Sequence, residues 1–201
     1  MIRNLACTLL MAAMFAPPAG AASPSEPDWP CIQRRQPALS VGQIWGGPPP
    51  DEAVEARKTD ADVQQLGRHI ALRRLPMPDA EQMIADFAAS HDAQAQTALF
   101  LVAFDHIQSQ RNRVMAGITR YARQQDSLDG QINEKRREFS QLMQQDAPDF
   151  DRLDRLEEEI DWATRIFQDR QQSLTYVCES PVILEQRAFA LGRAILSHLP
   201  R

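Results

Sequence analysis

The side chains best suited to acid–base or metal chemistry in this chain are its four histidines, His69, His91, His106 and His198. Histidine changes charge near neutral pH and is a common metal ligand. Helical metal sites place such ligands at short regular spacing, as in H-x-x-x-H or E-x-x-H. None of the histidines has that spacing. We therefore interpret them as ordinary helix residues and predict no metal site.

Carboxylates are concentrated in one run, at Glu157, Glu158, Glu159 and Asp161. Consecutive residues of a helix point in different directions, so we interpret this run as a solvated helix flank rather than a metal site. The chain has no G-x-S-x-G nucleophile motif, phosphate-binding loop or haem-attachment motif. The sequence therefore predicts no catalytic residue and no cofactor, and we expect that the protein is not an enzyme.

The first residues of the chain predict export. Arg3 precedes an uncharged apolar stretch from Leu5 to Ala16, and small residues offer a cleavage site near Ala21 or Ala22. Residues 1–22 are therefore a predicted signal peptide, and the protein is expected to be periplasmic or secreted with no transmembrane segment. Cleavage leaves a net charge of about −6, which disfavours nucleic acid as a partner.

Cysteine chemistry follows from that compartment. Cys7 lies in the signal peptide, so Cys31 and Cys178 remain in the mature chain. An even pair of cysteines in an oxidising compartment predicts one disulfide bond. An intermolecular pair and two free thiols are the alternatives. Metal binding is disfavoured because two distant cysteines lack a C-x-x-C clip.

Two long helices must position most of these residues. Apolar residues alternate at three- and four-residue spacing on both sides of a turn at residues 146–149, and opposite charges face each other at residues 135–137 and 157–161. The first run is Ile107, Val114, Ile118, Tyr121, Leu128, Ile132, Phe139 and Leu142; the second includes Leu153, Leu156, Ile160, Ala163, Phe167, Leu174, Val177, Leu184 and Leu191. The pattern predicts an antiparallel coiled-coil hairpin over residues 118–177.

A register for this hairpin follows from the turn, which places Leu142 opposite Leu153. The same register places Gln125 opposite Arg170, and Ile118 opposite Val177. Polar layers set alignment in coiled coils at some cost in stability. We therefore predict a polar layer formed by Gln125 and Arg170.

The other segments complete an all-α fold class: a small helical body, the long hairpin as a stalk, and an extended, proline-rich N-terminal arm. The arm covers residues 23–58, where prolines disfavour a helix but apolar residues favour docking. Residues 59–117 and 178–201 are expected to form a four-helix body. Cys31 would pin the arm where the body becomes the stalk.

Only the predicted architecture, and no motif, indicates a function for this chain. We expect a non-catalytic interaction or scaffold protein that presents the hairpin to an envelope or periplasmic protein partner, with a homo-oligomer also open. The alternative is a carrier of a small ligand or metal, with a pocket between arm and body. Candidate interaction residues are Trp29, Trp45, Trp162, Asp146 and Asp149.

Overall fold

The computed structural model describes residues 28–200, so the predicted signal peptide and its cleavage site lie outside the described residues. Within this range the chain forms helices and no strand, which confirms the all-α fold class. The helices, in chain order, are α1 (Val41–Ile44), α2 (Glu52–Arg57), α3 (Ala61–Ile70), α4 (Met77–Ala88), α5 (Ala93–Met143) and α6 (Phe150–Leu196).

The two longest helices, α5 and α6, pack against each other as a hairpin. Asp92 and Asp149 cap their first turns, because each carboxylate accepts the backbone N–H three residues later, at 2.8 and 3.0 Å. Ion pairs between Lys135 and Glu159, and between Arg152 and Glu138, join the helices near the turn. With 51 residues, α5 is about 75 Å long at the usual helical rise.

The core of the body surrounds the first turns of α5, where residues 95–104 are all buried. Helices α2 and α3 pack on α5, and α4 packs on α6. Gly67 of α3 lies so close to α5 that a Cβ there would be 2.6 Å from Cγ1 of Val102. Only glycine permits this approach. The apolar core of the body includes Val63, Ile70, Ile84, Leu99, Phe100, Ile107, Leu184, Leu191 and Ile195.

A buried arginine ties the connection between α3 and α4 to α6. Arg187 donates to the carbonyl of Ile70 from Nε and Nη2, at 2.8 and 2.6 Å, and to the carbonyl of Leu75 from Nη1, at 2.8 Å. The pKa of this guanidinium is lowered by its burial. Since α3 ends at Ile70, these bonds satisfy carbonyls that a helix end leaves free.

The second half of the arm differs from the expected extended chain, because it contains the short helices α1 and α2. The side chain of Gln43 accepts the N–H of Ser40 at 2.9 Å, and the Asp51 carboxylate accepts the N–H of Val54 at 2.8 Å. These local caps favour single helical turns between the prolines. Ile44, Trp45 and Val54 are buried, so this segment is part of the body's core.

Helix α6 continues through Pro181 without interruption. Proline has no N–H, so the carbonyl of Val177, four residues earlier, lacks its usual helical donor. Val177 itself lies at the surface of the hairpin, with an exposed fraction of 42%.

The predicted polar layer is wrong. Nε2 of Gln125 donates to the carbonyl of Phe167 at 3.1 Å, while Arg170 is exposed and its carbonyl accepts the hydroxyl of Tyr121 at 2.8 Å. Near the base of the hairpin the predicted seam residues Ile118 and Leu174 are buried, and so are Met115, Ala122 and Cys178, each one position after a residue predicted for the seam. The buried face is thus wider than the predicted seam, and it extends to Cys178, which is bonded to Cys31 of the arm.

Candidate interaction surface

The histidine that comes nearest to a functional arrangement is His91. Its Nε2 lies 2.7 Å from Oδ2 of Asp62, and its ring stacks on Phe87 with centroids 3.7 Å apart. The hydrogen bond with His91 is the main cause of the lowered pKa of the Asp62 carboxyl. This contact joins α3 to the end of α4. Among residues 28–200, no group of three or more His, Cys, Asp or Glu side chains could hold a metal ion.

The predicted disulfide is confirmed, and it pins the arm to the hairpin. Cys31 and Cys178 are bonded, with their Cα atoms 5.5 Å apart. Further along the arm, the buried guanidinium of Arg111 donates to the carbonyl of Gln36 at 2.5 Å and to the carboxylate of Glu185 at 2.7 Å. Buried charge is stable when it is paired and hydrogen-bonded in this way.

The arm lies along one side of the hairpin, which we call the covered flank. At its start, the carboxylate of Asp28 accepts from Nη2 of Arg123 at 2.6 Å. Further on, the N–H of Leu39 donates to Gln108 of α5 at 3.3 Å. The arm therefore runs antiparallel to α5 from the middle of the hairpin to the body.

Two of the predicted interaction residues belong to the arm. Trp45 is buried, its ring stacks on Phe100 with centroids 4.5 Å apart, and its Nε1 donates to the carbonyl of Pro48. Burial leaves Trp45 little surface for a partner, so its place is in the core. Trp29 is half-buried, with Nε1 donating to the carbonyl of Gln33 at 2.7 Å and Arg35 above its ring.

The third predicted residue, Trp162, belongs to an apolar stripe on α6. Its exposed fraction is 67%, and that of Tyr176 is 76%. Trp162, Tyr176 and Ile183 are separated by multiples of seven residues, so they share one side of a helix in a coiled coil. Partly buried Ile166 and partly exposed Val177 lie between them and the contact with α5. This stripe lies on the side of the hairpin opposite the arm, which we call the open flank.

Helix α5 contributes a different chemistry to the open flank. Arg113 and Arg120 are seven residues apart, and Nη2 of Arg120 lies 3.9 Å from the position of a Cβ on Gly117. Tyr121 marks the boundary with α6 through its hydrogen bond to the Arg170 carbonyl. Desolvation raises the pKa of the Tyr121 hydroxyl. The open flank therefore carries apolar side chains on α6, interrupted by Asp169, and arginines on α5.

The full stripe was not predicted from the sequence. Val177 was predicted to lie in the seam, where it would be covered, and Tyr176 was not singled out. The available signal was the seven-residue spacing of Trp162, Tyr176 and Ile183. That spacing is meaningful only once the side of the hairpin covered by the arm is known.

The turn of the hairpin holds the two predicted aspartates. Asp149 caps α6, as described above, and Asp146 is exposed in the turn. Met143 and Phe150 beside them are also exposed. Capping accounts for Asp149, whereas contact of Asp146 with a partner stays a prediction.

A groove between arm and body lies where the carrier alternative expects a pocket. Its volume is about 530 Å³, and it lies between Gly46–Pro48 and the end of α6, at Arg193, Leu196 and Leu199. The large aromatic residues of the body do not line this groove. Trp45, Phe87, Phe100 and Phe104 are packed in the core.

No protein-family profile, curated protein or solved structure matches this chain. Of the helices between residues 28 and 200, none combines the length and the apolar character needed to cross a membrane. Inference about function therefore depends on the surfaces of the hairpin.

Proposed function

We propose that this chain is a periplasmic or secreted, non-catalytic interaction protein that binds a protein partner through the open flank of its hairpin. The observation that carries the proposal is the alignment of Trp162, Tyr176 and Ile183 on one side of α6, exposed beside a hairpin whose other side is covered by the arm.

Physical chemistry supports this use of the stripe. Exposed aromatic side chains aligned on one face are unfavourable in water unless a partner covers them, and large apolar patches often mark protein interfaces. Tryptophan and tyrosine are also enriched among the residues that contribute most to binding. The helices hold these side chains rigidly, so binding would restrict little backbone motion.

The proposed compartment agrees with the disulfide. Disulfide bonds persist in oxidising compartments such as the periplasm and the extracellular space. The predicted signal peptide at residues 1–22 gives the same expectation, and its cleavage can be checked by N-terminal sequencing of protein recovered from the native cell. An intact N-terminus at Met1 would contradict export by this route.

Site-specific photo-crosslinking tests the proposed function. A photoreactive phenylalanine analogue at Tyr176 should form a specific crosslinked product with a protein from the native envelope or medium. The same analogue at Gln168, an exposed position on another side of α6, serves as the control. With the photoreactive analogue placed at Trp162 instead, the same crosslinked product should form, and it should be lost when Tyr176→Ser is added. Equal products from positions 176 and 168 would contradict the proposal.

A carrier function is the second candidate, because a groove does exist between the arm and the end of α6. Native mass spectrometry of the purified chain should then show a retained small molecule. A Cβ on Gly46 would lie 3.4 Å from Leu196, so Gly46→Phe should fill the groove and displace it. A mass equal to the polypeptide alone would favour the interaction function.

A further inference from the structure

The open flank carries positive charge on a chain whose formal net charge is −5. Arg113 and Arg120 lie on its α5 side, Arg170 lies where the two helices meet, and Arg73 borders its lower end through a 3.1 Å hydrogen bond to Ser180. On the α6 side, Asp169 is a carboxylate in line with Trp162 and Tyr176. By the same seven-residue spacing Glu134 continues the row of Arg113 and Arg120 on α5, so the basic side chains are concentrated at the end of the flank nearer the body.

Elsewhere on the hairpin and body, many cations have a carboxylate partner. Arg123 pairs with Asp28, Lys135 with Glu159 and Arg152 with Glu138. No ion pair within residues 28–200 involves Arg113, Arg120 or Arg170: Arg113 donates to the hydroxyl of Ser109, and Arg120 lies over Gly117. The open flank thus combines apolar surface with arginines that have no carboxylate partner.

The apolar stripe and the arginines of the open flank both run along the axes of their helices. The apolar stripe on α6 runs from Trp162 to Ile183, which is about 31 Å at the helical rise. Arg113 and Arg120 form the row on α5, and Tyr121 joins the two helices through its hydrogen bond to the Arg170 carbonyl. The seven-residue spacing on both helices matches two turns of an α-helix.

From this arrangement, and on the basis of the proposed function, we infer that the partner docks an acidic amphipathic helix along the open flank. The apolar face of that helix would contact Trp162 and Tyr176 on α6. Its carboxylates would lie beside Arg113 and Arg120 on α5. Arginine binds carboxylates in a planar, two-bonded geometry, and a third helix would cover the open flank as the arm covers the other.

Two other possible partners, a membrane and a second copy of the chain, fit the charges of the open flank less well. An anionic membrane would be repelled by a chain of net charge −5, because a lipid surface meets more of the molecule than one flank. A second copy of this chain would bring like-charged arginines of the two open flanks together, which is destabilising.

A pair of synthetic peptides tests the inference with the full chain, its disulfide intact. The first is a labelled 21-residue helix with leucine on one face and glutamate beside it, and the second has lysine in place of every glutamate. Fluorescence anisotropy at low salt should give at least about tenfold tighter binding for the glutamate peptide, since charge complementarity selects between them. High salt should reduce the difference in affinity between the two peptides.

Matched charge reversals locate the binding. Arg120→Glu should weaken binding of the glutamate peptide by about tenfold, whereas Arg137→Glu, an exposed arginine elsewhere on α5, should leave it unchanged. Circular dichroism confirms that each variant is folded. Equal binding of the two peptides, or equal effects of the two reversals, would overturn the inference.

Three further results would show that the open flank does not bind an acidic helix. Binding to vesicles of phosphatidylcholine and phosphatidylglycerol, without binding to either peptide, would assign the flank to a membrane. Sedimentation that shows a dimer broken by Tyr176→Ser would assign it to a second copy. If Tyr176→Ser abolishes photo-crosslinking but Arg120→Glu has no effect on it, the proposed function stands and the acidic helix is wrong.

Discussion

Gln125 leaves an acceptor unsatisfied inside the hairpin. Its Nε2 donates to the Phe167 carbonyl, but its buried Oε1 has no hydrogen-bond partner. A buried acceptor of this kind costs about 1–3 kcal/mol. Gln125→Leu should therefore raise the free energy of unfolding by about 1 kcal/mol, measured by urea denaturation. Gln124→Leu, at an exposed neighbouring position, is the control. A lower stability for Gln125→Leu would show that the Phe167 bond outweighs the unsatisfied oxygen.

Arg187 stabilises the fold through the planar, forked shape of its guanidinium group. Three of its hydrogen bonds reach the carbonyls of Ile70 and Leu75. A lysine ammonium is a single point of donation and cannot span both carbonyls. Arg187→Lys should lower the free energy of unfolding by about 2 kcal/mol, whereas the exposed Arg193→Lys should have little effect. Equal stability of the two variants in thermal denaturation would be inconsistent with this role.

The arm is the element that the disulfide controls. Its bond closes a loop of 147 residues, for which the entropic account allows up to about 5 kcal/mol. Cys31→Ser should lower the melting temperature and open the arm to limited proteolysis near Gln33, with helix content retained. Ile32→Ser is the matched control, because Ile32 is fully exposed. An arm that stays protected in Cys31→Ser would mean that its hydrogen bonds with Arg123, Arg111 and Gln108 hold it without the disulfide.

The start of the arm should respond to acid. The hydrogen bond from Arg123 lowers the pKa of the Asp28 carboxyl below the ordinary value of 3.8. This contact therefore stabilises the folded arm above that value, and the contribution is lost as the pH falls through the lower folded pKa. The hydrogen-exchange protection of residues 28–33, taken relative to the intrinsic exchange rate at each pH, should fall at acid pH. The Asp28→Asn variant should exchange faster at neutral pH and show less change on acidification; an identical pH profile would contradict this assignment.

At the scale of the molecule, the outer hairpin should be separable from the body. Residues 136–142 and 150–156 lie at equivalent heights on the two helices, so deleting both preserves the packing phase. The deletion should shorten the largest dimension by about 10 Å in small-angle scattering. The disulfide should still form. Deleting residues 136–142 alone is the control and should cost more stability. Global unfolding of the matched deletion would make the hairpin part of a single core.

Much of this architecture was predictable from local pattern. The alternating spacing from Ile107 to Leu142 predicted a helix whatever its neighbours, because a continuous apolar face is a property of one segment. The pairing of Cys31 with Cys178 followed in the same way from an even cysteine count. The all-α fold class required no information about distant contacts.

The tertiary structure alone decided which side of each long helix is buried and which is exposed. Val177 and Cys178 are neighbours in sequence, yet Cys178 is buried while Val177 is 42% exposed. The difference follows from the docking of the arm at Cys31 and Arg111, contacts between residues distant in the chain. The same docking determines that Trp45 is in the core while Trp162 and Tyr176 stay exposed. Sequence periodicity therefore determined the helices of this protein, whereas long-range packing determined its exposed surface, because periodicity is local and burial depends on what covers a face.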